Sequence, residues 1–82
     1  MTVRLLFFAA LVDQLGTASE ELHVPVQALT VRDLVGLLRE RGGAWDKTFS
    51  AGTVRVTVNK KFVDLSAPIQ DGDEIAFISA QM

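Results

Sequence analysis

The sequence predicts an α+β roll, one mixed sheet of about five strands crossed by one main helix. Three observations predict it. Short runs of period-two patterning recur near the start, in the middle and at the end of the chain. One longer stretch, from Thr30 to Arg41, carries helical periodicity instead. The first and last strands, Val3–Phe8 and Ile75–Ile78, are apolar on both faces, the signature of strands inside a sheet rather than at its edge. That places the two side by side in the middle, and neighbours so connected run parallel.

The first strand puts Val3, Leu5 and Phe7 on one face and Arg4, Leu6 and Phe8 on the other. Arg4 marks the second face as solvated at its start, and Leu6 and Phe8 make it apolar further along. A short helix over Ala9–Leu15 follows, with Leu11, Val12 and Leu15 on one side and Gly16 at the stop. Glu20–Val24 reads as a second strand, Leu22 and Val24 inward, Glu21 and His23 outward, ended by Pro25. The link between these strands allows either pairing sense.

Thr30 is a good N-cap for the main helix, and Asp33 three residues on completes a capping-box-like pair at the positive helix end. Val31, Leu34, Val35, Leu37 and Leu38 form its apolar stripe, and Gly42-Gly43 ends it. Gly36 weakens this helix by about 1 kcal/mol relative to alanine; close packing on the sheet would account for it. One more helical turn, Ala44–Phe49, sets Trp45 and Phe49 at i and i+4 over the end of the core. Val54–Val58 is a third strand, with Arg55 and Thr57 outward. Asn59-Lys60-Lys61 turns the chain into a short fourth strand, Phe62–Leu65. Asp71-Gly72 makes the turn into the last strand, with Gly72 supplying a positive φ and Asp71 hydrogen-bonding its own turn backbone. Residues 1–82 thus form a single domain with a short tail, Ser79-Ala80-Gln81-Met82.

Composition bounds the chemistry. A chain of 82 residues buries only about 60–65% of its unfolded surface, and at 49% apolar residues it has enough for a core and some to spare. The surplus points to an apolar surface patch and a protein partner. There is no cysteine, which excludes disulfides, thiolate metal sites and a cysteine nucleophile. A small domain without disulfides suits a reducing cytoplasm. No apolar run reaches the length of a membrane span, the start lacks a signal-peptide layout, and a net charge of −2 argues against nucleic acid. The sole histidine, His23, is a solvated strand residue, since a metal site would need a second imidazole or a thiolate. Lys60-Lys61 is a solvated turn. No nucleophile–base pair, pocketed carboxylate pair or phosphate loop appears, and no cofactor is expected. The chain reads as a carrier or a binding subunit.

Several stretches together resemble a known family: Leu5-Leu6-Phe7-Phe8-Ala9, Leu15-Gly16, the long helix ending near Trp45, Val58-Asn59 with Phe62-Val63, and Asp71-Gly72-Asp73-Glu74-Ile75-Ala76-Phe77. In this order and over nearly the whole chain they are similar to the MoaD/ThiS-type sulfur carriers of the ubiquitin-like β-grasp fold, most of all to the small subunit of molybdopterin synthase. The resemblance implies a role in molybdenum cofactor biosynthesis and two partners. One is a ubiquitin-activating-type enzyme that adenylates the terminal carboxylate before its conversion to a thiocarboxylate. The other is the synthase large subunit, into which the tail inserts to deliver sulfur to a pterin precursor.

Family members end in Gly-Gly, because a tail without Cβ atoms can lie extended in a narrow channel. This sequence ends Ala80-Gln81-Met82. Either the terminus is altered or truncated, or the chain is a divergent member that keeps the fold as an interaction module without carrier chemistry. The candidate partner patch is Leu6, Phe8, Phe62 and Ile78; the opposing reading has a loop or second helix cover them. Asp71, Asp73 and Glu74 read as a turn with a solvated acidic edge, or, through the resemblance, as a docking contact for a basic partner surface. The spacing of a calcium loop is absent.

Overall fold

The computed structural model describes residues 1–79. The elements are β1 (Thr2–Phe8), α1 (Ala10–Leu15), β2 (Ser19–His23), α2 (Val31–Arg39), α3 (Ala44–Ser50), β3 (Val54–Val58), β4 (Lys61–Val63) and β5 (Glu74–Ser79). Among the described residues the strands form one sheet in the order β2-β1-β5-β3-β4. β1 and β5 are parallel neighbours at its centre, with Leu5 beside Ile75, Phe7 beside Phe77 and Phe8 beside Ile78. β1–β2, β3–β5 and β3–β4 are antiparallel. This is the ubiquitin-like β-grasp architecture.

Alternation along the central strands builds the core on one face. Val3, Leu5, Phe7, Ile75, Phe77 and Val56 point to the helices and meet Val31, Leu34 and Leu38 of α2, together with Leu11 of α1. All of these are buried. Val35 and Leu37 flank the α2 stripe half-buried. Trp45 and Phe49 close the end of the core by an aromatic chain. Phe7 meets Trp45 edge-on at 5.5 Å, Trp45 stacks on Phe49 at 6.3 Å, and Phe49 meets Phe77 edge-on at 5.0 Å.

Both ends of α2 are held as the sequence requires. The Thr30 hydroxyl accepts from the Asp33 N–H, while the Asp33 carboxylate accepts from the backbone N–H groups of Leu29 (2.9 Å) and Thr30 (3.1 Å). Those bonds hold the Asp33 carboxyl below its usual range. The next N–H groups, of Val31 and Arg32, donate to the carbonyls of Ala67 and Leu65. At the other end Arg41 donates to the Glu20 carboxylate, with Nη1 to Oε1 at 2.9 Å and a second contact from Nη2 to Oε2, and lies 4.4 Å from the Trp45 ring centre. This fork-like pair ties the turn after α2 to β2 and lowers the Glu20 carboxyl, chiefly through the hydrogen bond.

Four expectations need correction. Gly36 faces solvent, and apart from its chain neighbours and its own helix backbone nothing lies within 4 Å of where a Cβ would stand, so it is not there for close packing on the sheet. The fourth strand is Lys61–Val63 and stops short of Leu65, because the chain turns after Val63 to give its carbonyls to α2. Ser79 belongs to β5, paired with Val54, and is not yet tail. Asp71 does not cap its own turn. Its carboxylate accepts from the Thr2 N–H at 2.7 Å, and Asp73 does the local work instead. The rest of the expected tail, Ala80, Gln81 and Met82, lies outside the described residues. Among the described residues no helix is long and apolar enough to cross a membrane.

Candidate partner-binding face

Every second residue of the central strands turns away from the helices, and the register fixes what stands beside what. One row across the outer face runs Leu6, Ala76, Thr57, Phe62. The next, nearer the C-terminal ends of β1 and β5, runs Phe8, Ile78, Arg55. Leu6, Phe8, Ile78 and Phe62 are thus brought together on one open surface, and no loop or second helix buries them. Phe8 is 46% and Phe62 59% exposed, while Leu6 and Ile78 are half-buried. Ala76 and Thr57, between them, are buried at the floor. Exposed phenylalanines standing on a close-packed floor make this an open apolar face.

Sequence reasoning left Arg55 out of this patch, although it has the same outward parity as Phe62. Its guanidinium sits over the Phe62 ring, 4.4 Å from the centre. The other end of the face is polar, with Arg4 in register between Glu21 and Glu74. β5 therefore starts at a charged edge, crosses the apolar patch and ends beside Arg55 at the side from which the chain continues toward its C-terminus.

The acidic turn is largely occupied with holding the fold. Asp71 anchors β1 through Thr2, and the Gly72 N–H, at a φ of 85°, donates to the Thr2 carbonyl at 2.8 Å. Asp73 accepts from the Gln70 N–H at 2.8 Å and the Asn59 side-chain amide at 2.9 Å. Asn59 in turn accepts from the Glu74 N–H and donates to its carbonyl. This network clasps the β3–β4 hairpin to the start of β5. Of the three acids, Glu74 alone projects onto the outer face. His23 is exposed and shares a hydrogen bond with the Thr2 hydroxyl at 2.9 Å. Among the described residues no group of three or more His, Asp or Glu is placed to hold a metal ion.

This geometry, an apolar sheet face running along a central parallel strand toward the C-terminus, accompanies a match of residues 5–81 to the ThiS family model. The chain belongs to the ThiS family. Among relatives of this ThiS-family chain is a molybdopterin synthase sulfur carrier subunit of Pyrenophora tritici-repentis, 39% identical over 80 residues, covering 90% of this chain and 81% of that protein. Another, from Escherichia coli, carries the same name and is 31% identical over 75 residues, covering 92% and 90%. Solved structures share the fold. The small archaeal modifier protein 1 of Haloferax volcanii superposes with a TM-score of 0.79 at 20% identity, over 98% of each chain. A chain from the complex of subunits 1 and 2 of the molybdopterin-converting factor of Helicobacter pylori 26695 does so with a TM-score of 0.70 at 18% identity, over 100% of this chain and 97% of that one.

Proposed function

We propose that this protein is the sulfur-carrier small subunit of molybdopterin synthase in molybdenum cofactor biosynthesis, working in the cytoplasm with two protein partners. The adenylating enzyme activates the terminal carboxylate of a tail ending in Gly-Gly, which the end Ala80-Gln81-Met82 lacks, and the synthase large subunit receives the sulfur-charged tail. The observation that carries this reading is the outer sheet face. Leu6, Phe8, Ile78 and Phe62 form an apolar surface reaching the C-terminal part of β5, so a partner that covers the patch also stands beside the end of that strand. The carrier subunit names of two relatives above 30% identity support it.

The globular part and the tail divide the work. The face supplies binding energy by apolar burial, at about 25 cal/mol per Å². Glu74 adds a docking contact for a basic partner surface, while Asp71 and Asp73 keep the edge of that surface rigid. Residues beyond Ser79 supply reach, and an extended residue spans at most about 3.3–3.6 Å. Carrier chemistry at the end of that reach needs glycine, because side chains such as those of Gln81 and Met82 would collide with a channel shaped for none.

The test is mass spectrometry after incubation with the adenylating enzyme, ATP and a sulfur donor. The sequence ending Ala80-Gln81-Met82 should stay unmodified, and a version rebuilt to family length with a Gly-Gly end should gain a thiocarboxylate. A thiocarboxylate on the first would overturn the role given to glycine. Failure of the second, with its fold intact, would favour an interaction module without carrier chemistry.

A further inference from the structure

We infer that the partner covering the outer sheet face meets Arg55 with a carboxylate of its own, so that Arg55 selects the partner while the apolar patch binds it. The inference rests on reading this face as the partner surface. Two cations stand on the face, and their surroundings differ. Arg4 has acids in register on both sides, Glu21 on β2 and Glu74 on β5. Like Arg55 it makes no ion pair among the described residues, but its neighbours on both adjoining strands are acids. Arg55 has Ile78 in register on β5 and the Phe62 ring beneath its guanidinium, and it makes no ion pair among the described residues. The nearest acid in chain order across the β3–β4 hairpin, Asp64, is turned to Ser66, whose N–H and hydroxyl it accepts. Glu74 is four residues from Ile78 on β5, about 13 Å along the strand.

Covering this corner has an electrostatic consequence. A guanidinium presents five N–H donors in a planar fork. An apolar partner laid over Phe8, Ile78 and Phe62 would strip water from that fork and leave donors unpaired, at a cost that an anion of matching shape removes. A carboxylate fits the fork with two parallel hydrogen bonds. The Phe62 ring, 4.4 Å from the guanidinium carbon, already restrains the side chain, so less of its freedom is lost when the acid arrives. The partner surface is therefore apolar in the middle with an aspartate or glutamate at the side where β5 ends.

The experiment is isothermal titration calorimetry of the full chain against the molybdopterin synthase large subunit, at low and high salt. The variants are Arg55→Gln, Arg55→Lys and Phe8→Asp, each first checked for an unchanged denaturation midpoint. Arg55→Gln should weaken binding by about 30-fold or more and flatten the salt dependence. Arg55→Lys should recover part of the affinity and all of the salt dependence. If Arg55→Gln binds like the unsubstituted chain while Phe8→Asp does not, the face stands as the partner surface and the acid opposite Arg55 does not exist. Weaker binding by Arg55→Gln with unchanged salt dependence would reduce Arg55 to packing on Phe62 and overturn the inference. Binding unaffected by Phe8→Asp and Arg55→Gln alike, or absent in the unsubstituted chain, would remove the face reading itself.

Discussion

Phe7 and Phe8 are adjacent, chemically identical and on opposite faces of β1, so they separate folding from binding in a single experiment. Phe7 is 2% exposed and Phe8 46%. Phe7 meets Trp45 edge-on at 5.5 Å and stacks on Phe77 at 5.9 Å. A buried Phe→Ala change costs about 3–5 kcal/mol, and the two ring contacts place Phe7→Ala toward the upper end. A domain of 82 residues has about 4–12 kcal/mol in total, so Phe7→Ala removes a third of the stability or more. Phe8→Ala, with half of its ring already in water, should cost about 1 kcal/mol or less. Phe8→Asp should fold and fail to bind the large subunit, because a charge on a face about to be desolvated opposes association. Urea unfolding followed by far-UV circular dichroism and by Trp45 fluorescence gives the midpoints, and calorimetry gives the binding. Equal losses for Phe7→Ala and Phe8→Ala, or unfolding of Phe8→Asp, would refute the assignment of an open outer face.

Gly36→Ala should stabilise the protein by about 0.5–1 kcal/mol in the same unfolding assay, since the site is mid-helix, solvent-facing and, outside its own helix, free of neighbours within 4 Å; a loss of stability would show that the glycine is needed. The depressed Asp33 carboxyl makes a signed pH prediction. Its stabilisation is complete above the unfolded value of about 3.9 and is lost as pH falls through the lower folded value. The melting-temperature gap between the natural chain and Asp33→Asn should therefore be widest near neutral pH and close in acid. A gap independent of pH would mean that the cap acts without its charge.

The element order was legible because each strand and helix carries its own periodicity and its own stop signal. The central parallel pair was legible because Val3–Phe8 and Ile75–Ile78 are apolar on both faces, which an edge strand rarely is. What the sequence could not show depends on contacts between distant segments. Asp71 sits in a turn, and nothing local says that its carboxylate will serve Thr2, 69 residues away, once β1 and β5 align. The end of β4 is set by the helix that needs the carbonyls of Leu65 and Ala67, not by the strand-like run Phe62–Leu65. Ala9, at a φ of 57° immediately after Phe8, gives no hint of this in its identity. In the candidate site, parity alone identified Leu6, Phe8 and Ile78 as outward. Arg55 has the same parity, but nothing in the sequence marks a charged residue as part of an apolar patch. Its place over Phe62 became visible only when β3 and β4 were paired.

Sulfur transfer itself is the most direct measurement. The Gly-Gly-ended version, isolated as the thiocarboxylate, should lose its sulfur to the pterin precursor only when the large subunit is present. Phe8→Asp in the same background should keep the thiocarboxylate. Loss of sulfur from Phe8→Asp at the unsubstituted rate, or retention of the thiocarboxylate in an assembled complex supplied with precursor, would contradict a carrier that works through this face and this end.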